Sequence, residues 1–169
     1  MDIISHGLWG SGVFGQKSHK LFWLAFFFGI MPDLFSFGIL FFHRIMIRFG
    51  IVSGDMPVQS FRPEHASLPF YVNPLYDLTH SLIIFLIIFF IIWLIRKKPL
   101  WEIGAWGLHI LIDIPSHSNA FFPTPFLWPI SDFHVNGISW GNPIIYIPNL
   151  ILLALLYGWF FYSKKKKNT

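Results

Sequence analysis

The chain has 169 residues, about the length of one domain, and 54% of them are hydrophobic whereas only 12% are charged. Soluble domains carry about 25% charged residues, so this composition excludes a disordered chain and argues against an ordinary soluble domain. The formal net charge is +4 and cysteine is absent, which excludes disulfide frameworks, thiolate zinc sites and cysteine nucleophiles.

The first part of the chain predicts a short inserted helix, a membrane span and an interfacial helix. Residues 1–16 are apolar and Gly-rich but lack the basic region and the cleavage site of a signal peptide, so we expect a partly inserted helix. Residues 17–32 form a short span that stops at Pro32-Asp33. Residues 34–50 carry two arginines four positions apart among aromatic side chains, a pattern typical of a helix lying in the membrane interface.

The rest of the chain predicts three more helices of membrane character. Residues 78–95 and 144–162 are almost entirely apolar and approach the roughly 20 residues that a bilayer requires. Residues 100–117 also predict a helix, although it carries four ionisable side chains, and the proline-rich residues 51–75 and 118–143 predict two outer loops. We therefore expect one all-α integral membrane domain with about four full or partial transmembrane helices, plus the interfacial helix and the short N-terminal inserted helix.

The basic residues predict the orientation of these spans. Nine of the 12 lysines and arginines flank predicted spans on one side: Lys17, Lys20, Arg96, Lys97, Lys98 and Lys164 to Lys167. The positive-inside rule places them in the cytoplasm, so the N-terminal hairpin and the C-terminal lysine tail face the cytoplasmic side of an inner membrane. The lysine tail is then a topological anchor that attracts anionic lipid, and we expect no nucleic-acid partner.

The strongest polar pattern is His109-x3-Asp113-x3-His117 in the third of these helices. Residues four apart share a helix face, and two imidazoles with a carboxylate suit zinc, manganese or iron. A charge at the centre of a membrane helix costs about 2.5–3.5 kcal/mol and needs a partner. Pro115 interrupts the helix before His117 and can displace that third residue. The alternative is a hydrogen-bonded pair that only holds helices together.

A second polar group opens the span at residue 78. His80 is either a ligand or a polar side chain reaching the interface, and Asp77 either caps the helix or orients His80. Thr79 and Ser81 flank the imidazole and are candidates to donate hydrogen bonds around the site. On the predicted topology this group and the His109 group both lie near the outer face.

Two further candidates lie near the same face. Asp33 is either a ligand or an acid that stabilises a helix N-terminus, and His6 is outside if the first helix enters from that face. Four other polar residues fall in predicted loops, where polarity needs no functional explanation: Glu64, His65, Asp132 and His134.

The order of these motifs resembles a family of membrane-bound, metal-dependent hydrolases typified by a LexA-regulated bacterial inner-membrane protein. That family has an early His, a Pro-Asp-x-Asp element, a His-Arg-Gly-x-Thr-His-Ser element, a His-x3-Asp helix and a Leu-Trp-Pro loop. The matching elements here are His6, Met31-Pro32-Asp33-Leu34, Thr79-His80-Ser81, His109 to Asp113, and Leu127-Trp128-Pro129. The resemblance implies that the metal ligands are His6, Asp33, His80, His109 and Asp113. A more distant similarity to zinc-dependent phospholipases C implies phosphoester substrates.

The chain departs from the family pattern at two places. Phe35 replaces the second Asp of the Pro-Asp-x-Asp element, and Leu75, Tyr76 and Asp77 replace the His-Arg-Gly residues. A site that holds two metals in the family is therefore expected to hold one here, unless Asp77 and His117 supply replacement ligands.

These observations predict a membrane-embedded hydrolase that uses a divalent metal, zinc first and manganese or iron as alternatives. Asp33 and Asp113 are the two candidates for accepting a proton from the attacking water, and we expect a phosphoester or related ester bond, such as that of a lipid headgroup, to be cleaved near the outer face. Membrane lipids are the expected partners. Two alternatives remain open: a transporter of metal ions or protons, and a structural membrane protein with an inactive site.

Overall fold

A computed structural model describes residues 1–51 and 68–167, and all regular structure in this part of the chain is helical. The helices are α1 (Ile3–Phe14), α2 (His19–Arg48), α3 (Val72–Thr79), α4 (Leu82–Arg96), α5 (Gly104–Ser116) and α6 (Pro143–Lys167). The predicted all-α class is thereby confirmed. Glu64 and His65 of the first predicted loop lie outside the described residues, and the last four residues of that loop range belong to α3.

Two helices, α2 and α6, are long and apolar enough to cross a membrane, and α3 with α4 passes as a third if this pair, bent by 61°, forms one broken span. These helices are consistent with insertion into a membrane. The predicted count of four spans is not confirmed, because α5 has only 13 residues. Such a helix is about 20 Å long, well short of a hydrocarbon core of about 30 Å.

Helix α2 continues through the break that the sequence predicts at Pro32, so the span and the interfacial helix are one element. A proline inside a helix has no N–H, so the carbonyl four residues earlier, here that of Phe28, loses its usual helical donor. The helix nevertheless continues: the Pro32 carbonyl accepts a hydrogen bond from the Ser36 hydroxyl at 2.8 Å, and the Thr79 hydroxyl of α3 lies 3.3 Å from the same oxygen. Asp33 consequently lies within a long helix and not at the end of a short one.

Small residues let α1 pack closely against α2 and α5. A Cβ added at Gly29 would lie 2.6 Å from the carbonyl oxygen of His6, and one added at Gly10 would lie 2.7 Å from the Cβ of Ala105. Backbones that approach this closely are typical of helix packing in membranes, where small residues replace the apolar side chains of a soluble core. The close approach brings His6 on α1 next to the helices that carry Asp33 and His109.

The chain between α3 and α4 is not helical, and it is fully enclosed by protein. His80 and Ser81 are both 0% exposed. The hydroxyl of Ser81 donates to the carbonyl of Trp128, and the backbone N–H of Leu82 donates to the carbonyl of Phe126 at 3.0 Å. Irregular backbone within a membrane is tolerated only where protein or water satisfies it. The proline-rich loop after α5 therefore holds the break that positions His80.

Candidate metal centre

The side chains of all five predicted ligands meet in one cluster, although four separate segments carry them. We call this set the His/Asp cluster: His6 of α1, Asp33 of α2, His80 at the α3/α4 break, and His109 and Asp113 of α5. It contains two groups of three whose ligand atoms all lie within 4.8 Å of one another, His6 with His109 and Asp113, and Asp33 with His80 and His109. Each group could hold a metal ion.

The two groups share His109, and their ligand atoms surround a common point. His109 Nε2 lies 3.1 Å from Asp113 Oδ2 and 3.9 Å from Asp33 Oδ1. His80 Nε2 lies 3.6 Å from the same oxygen of Asp33 and 3.8 Å from the same oxygen of Asp113. His6 Nε2 is 3.0 Å from the other Asp113 oxygen, Oδ1. These separations are short enough for one ion to contact side chains of both groups.

Backbone carbonyls fix the orientation of two imidazoles. His109 Nδ1 donates to the carbonyl of Gly29 at 2.7 Å, and His80 Nδ1 donates to the carbonyl of Tyr76 at 3.1 Å. The Thr79 hydroxyl beside His80 Nδ1 has a closer acceptor, the Leu75 carbonyl at 2.8 Å, and a carbonyl only accepts; neutral rings that donate from Nδ1 therefore carry lone pairs on Nε2, and these two atoms lie 3.1 Å apart. Two facing lone pairs repel unless a cation or a proton lies between them. This arrangement, with Nδ1 hydrogen-bonded to a carbonyl and Nε2 directed into the site, is typical of metal-binding histidines.

Three buried polar atoms of the cluster make no well-aligned hydrogen bond with any described residue: Nδ1 and Nε2 of His6, and Oδ2 of Asp113, although His6 Nε2 lies 3.0 Å from Asp113 Oδ1 and Asp113 Oδ2 lies 3.1 Å from His109 Nε2. The His6 ring instead stacks on that of His109, with centroids 3.7 Å apart. Buried polar atoms without partners are costly and rare in native proteins. Nitrogen and carboxylate ligands turned toward one point fit a divalent cation, so the donor set is chemically suited to the metal that the sequence predicts.

The two carboxylates of the cluster have different surroundings. Asp113 is 1% exposed, and its Oδ1 lies 2.6 Å from the Met1 amino group and 3.4 Å from the Ser116 hydroxyl, which donates to it. The Asp33 side chain is 15% exposed, whereas those of the cluster histidines are 0% exposed. Asp33 is therefore the member of the cluster that solvent or a substrate reaches most directly.

The remaining predicted site residues surround the cluster without joining either group. His117 ends α5 in an extended conformation, and its Nε2 lies 3.4 Å from Asp113 Oδ1. The Thr79 hydroxyl lies 3.0 Å from His80 Nδ1. Asp77 is within α3 and does not cap the following helix, because Ser81 caps α4. Two further predicted loop residues, Asp132 and His134, are exposed.

Tyr76 is a site residue that the sequence analysis did not identify as functional. Its ring stacks on the His80 imidazole with centroids 3.9 Å apart, and its hydroxyl donates to the Phe122 carbonyl at 2.9 Å and lies 3.2 Å from His117 Nδ1. The available signal was its spacing, since a residue four positions before His80 shares its helix face. In the sequence Tyr76 stands out only as a departure from the family motif.

The cluster lies far from the basic residues along the helices that carry both. His80 lies two residues before the start of α4 and Arg96 ends that helix, which is about 22 Å long. Lys20 lies in the first turn of α2, about 20 Å from Asp33. The cluster and these basic groups therefore occupy different levels of the bundle.

Comparisons with family models, with curated proteins and with solved structures find no match to this chain.

Proposed function

We propose that this protein is a membrane-embedded, metal-dependent hydrolase that cleaves a phosphoester or related ester bond of a lipid headgroup. The observation that carries the proposal is the pair of imidazoles whose Nε2 atoms face each other at 3.1 Å while carbonyls hold both Nδ1 atoms. That arrangement, buried beside two carboxylates, suits a bound cation better than a purely structural hydrogen-bond network.

The residues that would hold the metal are His6, Asp33, His80, His109 and Asp113. Because the two groups share His109 and converge, we assign one ion to the cluster, zinc first among zinc, manganese and iron. The position where the family carries a further Asp is Phe35, which is 55% exposed on the surface of α2. When bound, a divalent metal acts as a Lewis acid on a phosphoryl or acyl oxygen and lowers the pKa of coordinated water.

We assign the general base to Asp33 and not to Asp113. Asp113 already accepts a hydrogen bond from the Ser116 hydroxyl, pairs with the Met1 amino group and lies beside four imidazoles. Asp33 is the more exposed carboxylate, so its oxygens can accept a proton from water approaching from outside the cluster. Backbone carbonyls hold His80 and His109, and the side chains of all three cluster histidines are 0% exposed, so none of them reaches solvent to exchange protons.

A lipid headgroup is the substrate class that agrees with the placement of the cluster. Lys20 near the start of α2 and Arg96 at the end of α4 favour a cytoplasmic location for those two helix ends. The cluster then lies in the outer half of an inner membrane, close to the depth of outer-leaflet headgroups. The same separation argues against a transporter, because an ion path needs polar groups at successive depths.

The test is metal-dependent release of headgroup or fatty acid from lipid vesicles, measured by mass spectrometry on the purified full chain reconstituted with phosphatidylethanolamine and phosphatidylglycerol. We expect Zn²⁺ to support hydrolysis and a chelator to abolish it. Asp33→Asn is expected to lower kcat by about 10²–10⁴-fold, the usual contribution of a general base. His109→Ala is expected to abolish both hydrolysis and metal binding.

The matched control is His19→Ala, since His19 is an exposed histidine of the same protein outside the cluster. Hydrolysis that survives chelator and His109→Ala would contradict the proposal. So would an inactive wild-type protein that instead moves Zn²⁺ across the vesicle membrane, a result that favours the transporter.

A further inference from the structure

An apolar groove of about 430 Å³ lies between α1, α5 and α6. Its walls include Leu108 and Leu111 of α5 together with Ile144 and Leu152 of α6, and no acidic or basic side chain of the described residues lines it. We call it the α5/α6 groove. Its volume is in the range of small-molecule sites, and the Met1 amino group at one end is already paired with Asp113 Oδ1 at 2.6 Å, so the walls themselves suit an apolar ligand.

The open side of the groove lies on an exposed apolar surface of the protein. Leu111, Ile144 and Leu152 are 53%, 68% and 51% exposed. Helix α6 is a candidate membrane span, and only 11% of its most apolar window is buried within the protein. In a bilayer the open side of the groove therefore faces acyl chains, which are the apolar partners available there.

One end of the groove reaches the His/Asp cluster. The groove follows α5 from Leu108 to Ser116, a distance of about 12 Å along the helix. At that end Ser116 lines the groove while its hydroxyl donates to Asp113 Oδ1 at 3.4 Å. An extended chain lying in the groove would thus end beside the cluster.

We propose that the α5/α6 groove binds one acyl chain of a membrane lipid, oriented so that its polar end lies at Ser116 against the His/Asp cluster. This orientation rests on the proposed function, whereas occupation of the groove by hydrocarbon does not. The inference makes the substrate a lipid with at least one long chain, extracted laterally from the bilayer and recognised by its tail as well as by its headgroup.

The experiment uses the full chain in vesicles of phosphatidylethanolamine and phosphatidylglycerol that contain a phosphatidylethanolamine with a photoactivatable diazirine on one acyl chain. After irradiation, mass spectrometry locates the labelled residues. We expect labelling at Leu111 of α5 and Leu152 of α6 to exceed labelling at Leu155. Leu155 also belongs to α6 and is 63% exposed, but it lies outside the groove. Equal labelling at these positions would overturn the proposal.

Leu152→Trp fills the groove, and Leu155→Trp is the matched control at a lipid-facing position of similar exposure. We expect Leu152→Trp to lower groove labelling by about tenfold, the equivalent of two buried methylene groups, and Leu155→Trp to leave it unchanged. Labelling that is insensitive to Leu152→Trp would overturn the proposal. Since photolabelling needs no turnover, a negative hydrolysis assay would refute the proposed function without deciding this result.

Discussion

Gly29→Ala tests whether the close contact between α1 and α2 positions the His/Asp cluster. The added methyl group would lie 2.6 Å from the His6 carbonyl oxygen, about 0.8 Å closer than the 3.4 Å at which ordinary contact begins. It would also lie 3.1 Å from the Gly7 Cα. Both neighbours are backbone atoms, so α1 must move, and His6 moves with it. Overpacking of this kind costs about 1–3 kcal/mol, which exceeds the roughly 1 kcal/mol that alanine gains over glycine in a helix.

The assay is thermal unfolding in detergent together with Zn²⁺ affinity measured by isothermal titration. Gly29→Ala is expected to lower the Tm and to weaken metal binding by about 10- to 100-fold, as a displaced ligand environment does. Gly38→Ala is the matched control on the same helix, since an added Cβ there meets nothing closer than 4.0 Å. It is expected to raise the Tm slightly. If Gly29→Ala behaves like this control, the reasoning about helix contact is refuted.

Three further results follow from contacts around the cluster. Asn149→Ala removes the acceptor 2.8 Å from the Trp9 indole nitrogen and should lower the free energy of unfolding by about 1–3 kcal/mol, measured by thermal denaturation. Tyr76→Phe keeps the aromatic ring stacked on His80 but removes the hydroxyl, so it should lower the free energy of unfolding by about 1 kcal/mol and leave the metal content unchanged. The control Tyr146→Phe, at a partly exposed ring, should change neither quantity. Chelator should lower the wild-type Tm, because ligand at 1,000 times Kd stabilises by about 4 kcal/mol.

The members of the His/Asp cluster could be predicted from the sequence on two grounds: the cost of polar residues in an apolar helix indicates His109 and Asp113, whereas His6 and Asp33 follow from the resemblance to the hydrolase family. His109 and Asp113 lie four residues apart in an apolar helix, where a charged side chain without a partner costs free energy. The two side chains are therefore expected to share one site. The structure brings both together with His6, Asp33 and His80, as the sequence analysis expects. Their role as ligands remains a prediction.

The course of α2 could not be predicted, because a proline normally ends or kinks a helix. In the structure α2 continues through Pro32, and the Thr79 hydroxyl of α3 lies 3.3 Å from the Pro32 carbonyl; no local pattern in the sequence predicts this contact between helices. The hydrogen bond from His109 to the Gly29 carbonyl could not be predicted either, since every residue carries a carbonyl. Sequence patterns identify which side chains need partners, whereas the backbone groups that position them emerge only from the packed helices.

The most direct test of the account is the metal content of the purified full chain, measured by plasma mass spectrometry after loading with Zn²⁺ and removal of free metal. We expect one equivalent per chain in the wild type and in the exposed-site control His19→Ala/Asp132→Asn, and none in His109→Ala/Asp113→Ala. A wild-type protein that retains no Zn²⁺, Mn²⁺ or Fe²⁺, or a cluster variant that retains as much as the control, would contradict it.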